Sequence, residues 1–147
     1  HCTYYFKFYF FEALKKADLG DLYTTMLTPW QDMLNLGLTT FAENPEPTRS
    51  DCHAWSASPV YQFLSLVCGI EPLNNGFDKV RIAPNFGSLN TITGTFPHKS
   101  GEIKVNLTKT KSNSINGYII LPKGLDGIFI WKGKEIDLKC GKNEIKI

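Results

Sequence analysis

Sulfur is scarce in this sequence and badly spaced. The 147 residues hold two methionines and four cysteines, Cys2, Cys52, Cys68 and Cys140. No pair makes a C-x-x-C or zinc-type spacing, and four cysteines at these distances are no disulfide scaffold, so buried free thiols are the expected state. Long apolar runs are missing too. The aromatic stretch from Tyr4 to Phe11 falls well short of the roughly 18 residues a membrane helix needs. It also lacks the charged start and small-residue cleavage site of a secretory signal. No membrane partner is expected. There is no low-complexity tract and no internal repeat, and 42% hydrophobic with 20% charged residues excludes a disordered chain. The first residue is His1, inside an apolar segment, which reads as a piece of a longer protein.

Each half is poor in one sign of charge. Residues 1–72 carry four Lys/Arg (Lys7, Lys15, Lys16 and Arg49) against eight Asp/Glu, whereas residues 73–147 carry twelve against six. Such a split marks two domains. The basic half does not read as a nucleic-acid surface, because its lysines are scattered singly with little aromatic interleaving. A solvated sheet face fits better, and no nucleic-acid partner is expected.

The hydrophobic period changes near residues 70–76. Before it the pattern is helical. Residues 3–17 read as a helix that is apolar on nearly every face and ends in Lys15 and Lys16, where cations suit the C-terminal dipole. Asp21 is expected to cap a second helix through Leu27. Thr28 is the expected N-cap of a third, with Pro29 in its first turn and Gly37 as its stop. A fourth is expected over Cys52 to Val67, capped by Ser50 or Asp51 and kinked at Pro59. After residue 72 come about seven short runs, mostly alternating, such as Ile103/Val105/Leu107 against Lys104/Asn106/Thr108. They indicate an antiparallel sandwich, with a two-residue hairpin at Lys132-Gly133. The fold class is therefore α+β in two domains, 1–72 and 73–147. The helical half leaves Tyr4, Phe6, Phe8 and Phe11 without cover, an apolar patch fit for self-association.

The chemistry concentrates between Thr39 and Trp55, where Glu43, Glu46, Arg49, Asp51 and His53 fall between Phe41 and Trp55. From residue chemistry alone Glu43 reads either as a surface carboxylate or as a general base held at a pocket rim. His53 reads as a packed or capping histidine, or as a site residue. Trp55 and Trp30 suit sugar stacking but also suit a core, and Arg49 can simply pair with Glu46 or Asp51. Glu43, Asp51, Cys52 and His53 match no metal-ligand spacing, so no metal or other cofactor is expected. Ser56 and Ser58 lack the strand-turn-helix setting of a nucleophile elbow.

In order, the chain shows Trp30-Gln31-Asp32-Met33-Leu34, then Gly37-Leu38-Thr39-Thr40-Phe41-Ala42-Glu43. Ser50-Asp51-Cys52-His53-Ala54-Trp55 follows, then Cys68-Gly69-Ile70-Glu71-Pro72, Gly76-Phe77 and Val80-Arg81-Ile82-Ala83-Pro84. Over nearly its whole length this resembles the C-terminal end of a bacterial, Bacteroides-like α-L-rhamnosidase of glycoside hydrolase family 78. The resemblance implies that residues 1–72 are the last helices of a catalytic (α/α)6 barrel and 73–147 a C-terminal β-sandwich. It implies an inverting hydrolase acting on rhamnose-containing oligosaccharides or glycosides, in the periplasm or outside the cell. Glu43 aligns with the general base and His53 with a histidine of the rhamnose subsite, and Phe41, Arg49 and Trp55 fall at substrate-binding positions. The general acid would lie upstream of His1, so the chain alone is expected to be inactive, with the rest of the barrel as its partner. A sandwich that binds carbohydrate, or is purely structural, is the alternative. Exposed aromatics on one sheet face would favour binding.

Overall fold

A computed structural model describes residues 2–44 and 50–147. The chain forms two compact units, residues 1–62 and 63–147.

In the first unit, α1 (Tyr4–Lys16) is capped by Thr3, whose Oγ1 accepts from the Phe6 N–H at 3.2 Å. The helix is apolar all round in composition but buries only Tyr4, Phe11 and Leu14. These lie seven and three residues apart, along one stripe. Against them pack Tyr23, from the 3₁₀ turn Gly20–Met26, and Trp30, from α2 (Thr28–Asn35). Fully burying one such ring stabilises the fold by about 1.5–3 kcal/mol. The expected uncovered patch is corrected accordingly. Tyr4 and Phe11 are buried, Phe8 is half-buried beside Tyr61, and the exposed stripe is Tyr5, Phe6, Tyr9 and Phe10.

Local signals were wrong in detail at three helix starts. The segment from Asp21 is a 3₁₀ turn with no side-chain cap, because Gly20 already belongs to it. Thr28 lies inside α2, preceded by Leu27 and without a side-chain cap, while Pro29 does sit in the first turn. The expected helix over Cys52 to Val67 is three pieces: a 3₁₀ turn Ala54–Ala57, α3 (Ser58–Gln62) and a π turn Phe63–Val67. Neither Ser50 nor Asp51 caps it. Pro59 explains the first break, because its ring is tolerated only near a helix start.

The second unit is a sandwich of two four-stranded sheets. Its strands are β1 (Ile70–Pro72), β2 (Lys79–Ile82), β3 (Thr91–His98), β4 (Gly101–Lys109), β5 (Ile115–Leu121), β6 (Asp126–Trp131), β7 (Lys134–Leu138) and β8 (Gly141–Lys146). The sheet orders are β1-β2-β6-β7 and β3-β4-β5-β8. One pair, β2 with β6, is parallel, so the first sheet is mixed rather than wholly antiparallel. The extra strand is β1, too short for a period to show. Alternation sets the core: Ile103, Val105 and Leu107 are buried on the same side of β4. Lys132 and Gly133, both at positive φ, make the expected two-residue hairpin turn.

The unit boundary falls before the change of period because the π turn is tied to the sandwich. Asn85 donates its backbone N–H to the Val67 carbonyl (3.1 Å) and its side-chain amide to the Leu66 carbonyl (3.0 Å). Gly94 of β3 leaves room for this turn. A Cβ there would stand 2.7 Å from Cys68 Sγ and 3.2 Å from a Leu64 methyl. The thiols are free as expected, but only Cys68 is buried; Cys2 is half-buried, and Cys52 and Cys140 lie exposed in loops. Burial pushes the Cys68 thiol up to about 11, as desolvation of a thiolate requires.

Two glycines should differ in what replacement costs. At Gly69 (φ +67°) a Cβ would lie 2.0 Å from the Ala83 carbonyl oxygen, which is backbone, whereas at Gly94 the obstacles are side chains. Gly69→Ala is expected to destabilise by about 3 kcal/mol or more, beyond the usual overpacking cost. Gly94→Ala is expected to cost about 1–3 kcal/mol. Thermal denaturation of the two variants checks this order; a Gly94→Ala loss as large as that of Gly69→Ala would contradict it.

Candidate active site

The loop between α2 and the 3₁₀ turn is organised by its own backbone. The Glu43 N–H donates to the Ser50 carbonyl at 3.0 Å and the His53 N–H to the Phe41 carbonyl at 2.6 Å. Thr40 Oγ1 adds a hydrogen bond to the Asp51 carbonyl. The two arms, 40–43 and 50–53, thus run antiparallel as a short ladder. This closure brings Glu43 across from Ser50, seven positions on, and Phe41 across from His53, twelve positions on. Ala42 is fully buried and anchors the first arm, while Glu43 and Phe41 are half-buried beside it.

On the second arm, His53 Nδ1 is hydrogen-bonded to Ser50 Oγ at 2.9 Å. Its ring lies 4.2 Å from that of Trp55, at 51°. Trp55 is 47% exposed and touches Tyr5 at 5.4 Å, which in turn meets Tyr9 at 5.6 Å edge-on. The Tyr5 and Tyr9 hydroxyls are hydrogen-bonded at 3.1 Å. A row of four partly exposed rings therefore leads away from His53 along α1. What holds the arm in place is Trp30, whose Nε1 donates to the Ser56 carbonyl at 2.7 Å in a buried bond.

The structure sorts the sequence candidates. Glu43, His53, Trp55 and Phe41 come together around the ladder. Trp30, which had suited sugar stacking, is a core residue at 7% exposure. Arg49 lies outside the described residues. Sequence reasoning missed Tyr5 as a neighbour of Trp55; its signal was the Tyr5/Tyr9 pair four residues apart on one helix. It also treated Ser50 only as a cap, because a serine's partner three residues on is invisible without the loop's path. Among the described residues no group of three or more His, Cys, Asp or Glu side chains is placed to hold a metal. Chemically, a half-buried carboxylate on one arm can accept a proton from water, and an imidazole with an exposed indole on the other can seat a sugar ring. An open cleft of about 370 Å³ elsewhere, lined by Cys2, Lys7, Phe10, Phe11, Met26, Thr28 and Pro29, holds one charged group and no acid-base pair.

The sandwich offers no comparable surface. Of the six aromatics from Pro72 onward, Phe86, Phe129 and Trp131 are buried, and Phe77 and Phe96 half-buried in contact with each other; Phe63, in the π turn before the strands, is exposed. Tyr118 is half-buried with Lys142 Nζ 4.9 Å from its ring centre. The exposed aromatic face that sugar binding by the sandwich would need is missing.

A helical unit followed by this two-sheet sandwich has counterparts among known structures. Residues 69–127 match the model of the bacterial alpha-L-rhamnosidase C-terminal domain. The fold is similar to a native α-L-rhamnosidase of Aspergillus terreus, with a TM-score of 0.80 and 18% identity over 93% of this chain and 18% of that one. A GH78 family rhamnosidase of Bacillus sp. GL1 gives 0.78 and 26% identity over 87% of this chain and 15% of that one. A Streptomyces avermitilis α-L-rhamnosidase, solved with L-rhamnose, gives 0.80 and 16% over 93% and 17%. The chain thus spans less than a fifth of the length of these structures. No curated protein sequence shows significant similarity. Residues 40–55 lie outside the matched domain.

The two tryptophans of the site should separate by role. Trp30→Ala empties the core of the helical unit and is expected to cost about 3–5 kcal/mol. Trp55→Ala removes an exposed ring and is expected to stay within about 1 kcal/mol of wild type. Urea denaturation of both checks this; a Trp55→Ala loss equal to that of Trp30→Ala would make Trp55 a core residue.

Proposed function

We propose that the chain is the C-terminal part of an inverting α-L-rhamnosidase, in which the helical part closes an (α/α)6 catalytic barrel and the two-sheet part forms a structural sandwich. What supports the reading is the pair of backbone bonds that joins the arms carrying Glu43 and His53, with Trp55 against the His53 ring. The matched rhamnosidase domain lies directly downstream in the same chain. In this reading Glu43 is the general base, taking a proton from the water that attacks the anomeric carbon. His53 and Trp55 hold the rhamnose ring, with Phe41 and Arg49 completing the subsite. The general acid protonates the leaving oxygen from the far side, roughly 6.5–9.5 Å from the base, leaving room for that water. It belongs to the part of the barrel outside this chain, so the 147 residues alone have a base and no acid.

The expected outcome is direct. The full-length parent hydrolyses an aryl α-L-rhamnoside, the isolated chain does not, and Glu43→Gln in the parent lowers kcat by about 10²–10⁴-fold, the usual worth of a general base. A parent indifferent to Glu43→Gln, or turnover by the isolated chain, would sink the assignment.

The exposed stripe of Tyr5, Phe6, Tyr9 and Phe10 is, in this reading, covered by the remaining barrel helices. An isolated chain should cover it with a second copy instead. Light scattering is expected to show association at micromolar concentration that Phe6→Ser with Phe10→Ser abolishes. A wild-type chain that stays monomeric throughout would refute the idea.

A further inference from the structure

We propose that Ser50 is a positioning residue for the whole site: its carbonyl holds the backbone of Glu43 while its hydroxyl sets the rotation of the His53 imidazole. The two contacts leave one residue in opposite directions. The Ser50 carbonyl accepts from the Glu43 N–H at 3.0 Å, and Ser50 Oγ lies 2.9 Å from His53 Nδ1.

The hydroxyl matters because stacking alone leaves the histidine underdetermined. The face of Trp55 fixes the tilt of the imidazole at 51°, but the terminal torsion of a histidine is broad and roughly two-fold. A ring flipped in place keeps its stacking and exchanges the nitrogen edge for a carbon edge. The Ser50 bond at Nδ1 selects one of these orientations. Because a serine hydroxyl can donate or accept, the bond forms with either tautomer and is lost only when the ring turns its carbon edge to Ser50. Nε2 is thereby held at one place for whatever occupies the site. The opposite edge of the same residue fixes where the chain turns at Glu43.

The backbone of Ser50 points the same way. Its φ is +54°, the left-handed region that costs a residue bearing a Cβ. Glycine would take that conformation without strain, yet the position carries a hydroxyl that is used. This makes an informative variant available. Ser50→Gly removes the CH2OH group and relieves the backbone, so its melting temperature separates loss of function from loss of fold. Ser50→Ala removes the hydroxyl and keeps the strain.

The structural half of the inference stands on its own, whereas its consequence for turnover rests on the hydrolase reading. The test has two arms to keep these apart. In the 147-residue chain, nuclear Overhauser contacts from the His53 Hδ2 and Hε1 protons to the Trp55 ring are expected to report one ring orientation. In Ser50→Gly and Ser50→Ala they should average over two orientations, with the Ser50→Gly melting temperature unchanged or higher. An unaltered contact pattern in both variants would overturn the proposal, whatever the enzyme does.

In the full-length parent, Ser50→Gly is expected to lower kcat/KM on an aryl α-L-rhamnoside by tenfold or more, up to about 100-fold as for a displaced group. KM should carry most of the change, because a ring that binds the sugar is loosened while the base is kept. Unchanged kcat/KM in a parent that Glu43→Gln inactivates would overturn Ser50 as a positioning residue. A parent indifferent to Glu43→Gln would overturn the hydrolase reading, while the NMR arm still decides the role of Ser50.

Discussion

Two backbone hydrogen bonds, Glu43 N–H to Ser50 and His53 N–H to Phe41, are what the rest of the site depends on. Each is worth only about 0.5–1.5 kcal/mol net, small beside the aromatic core of the helical unit. Their importance is geometric. A carboxylate and an imidazole ten residues apart could point anywhere on a loop. The two bonds join the arms that carry them, and the Thr40 hydroxyl adds a third bond, to the Asp51 carbonyl. The core beneath supplies the rigidity: Trp30 is held by Tyr4 and Phe11 on one side and bonded to the Ser56 carbonyl on the other. The loop's second arm is thereby fixed to a packed helix pair.

Seen this way the helical unit has an inside and an unfinished outside. Its buried stripe on α1 is well packed, while Tyr5, Phe6, Tyr9 and Phe10 remain open. The sandwich is the opposite case. Its two sheets bury their own inner faces, its aromatics are turned inward or covered, and its hairpin turn is of the kind its twist favours. Its residues 69–127 are the part that matches a rhamnosidase C-terminal domain.

Much of this was legible in the residues. Alternation in Ile103-Lys104-Val105-Asn106-Leu107 showed both the strand and its buried face, and Lys132-Gly133 showed the turn. What the sequence hid was non-local. The parallel pairing of β2 with β6 leaves no trace in either strand's period. The break of the Cys52–Val67 span into 3₁₀, α and π pieces comes from Pro59 and from the hydrogen bonds of Asn85, which lies eighteen or more residues beyond the π turn. In the candidate site, Glu43, His53 and Trp55 stood out by type and order. Ser50 did not, because its two contacts exist only once the two arms meet. Trp30 and Trp55 looked alike as residues, and only burial tells the pin from the platform.

The measurement that bears most directly on the account is a structure of the full-length parent with L-rhamnose bound. The sugar is expected on the Trp55 and His53 faces, with the Glu43 carboxylate within hydrogen-bond reach of a water at the anomeric carbon. A second carboxyl group should lie roughly 6.5–9.5 Å from it, as an inverting mechanism requires. Rhamnose bound away from this loop, or Glu43 turned from the anomeric carbon with no such partner across the sugar, would contradict it.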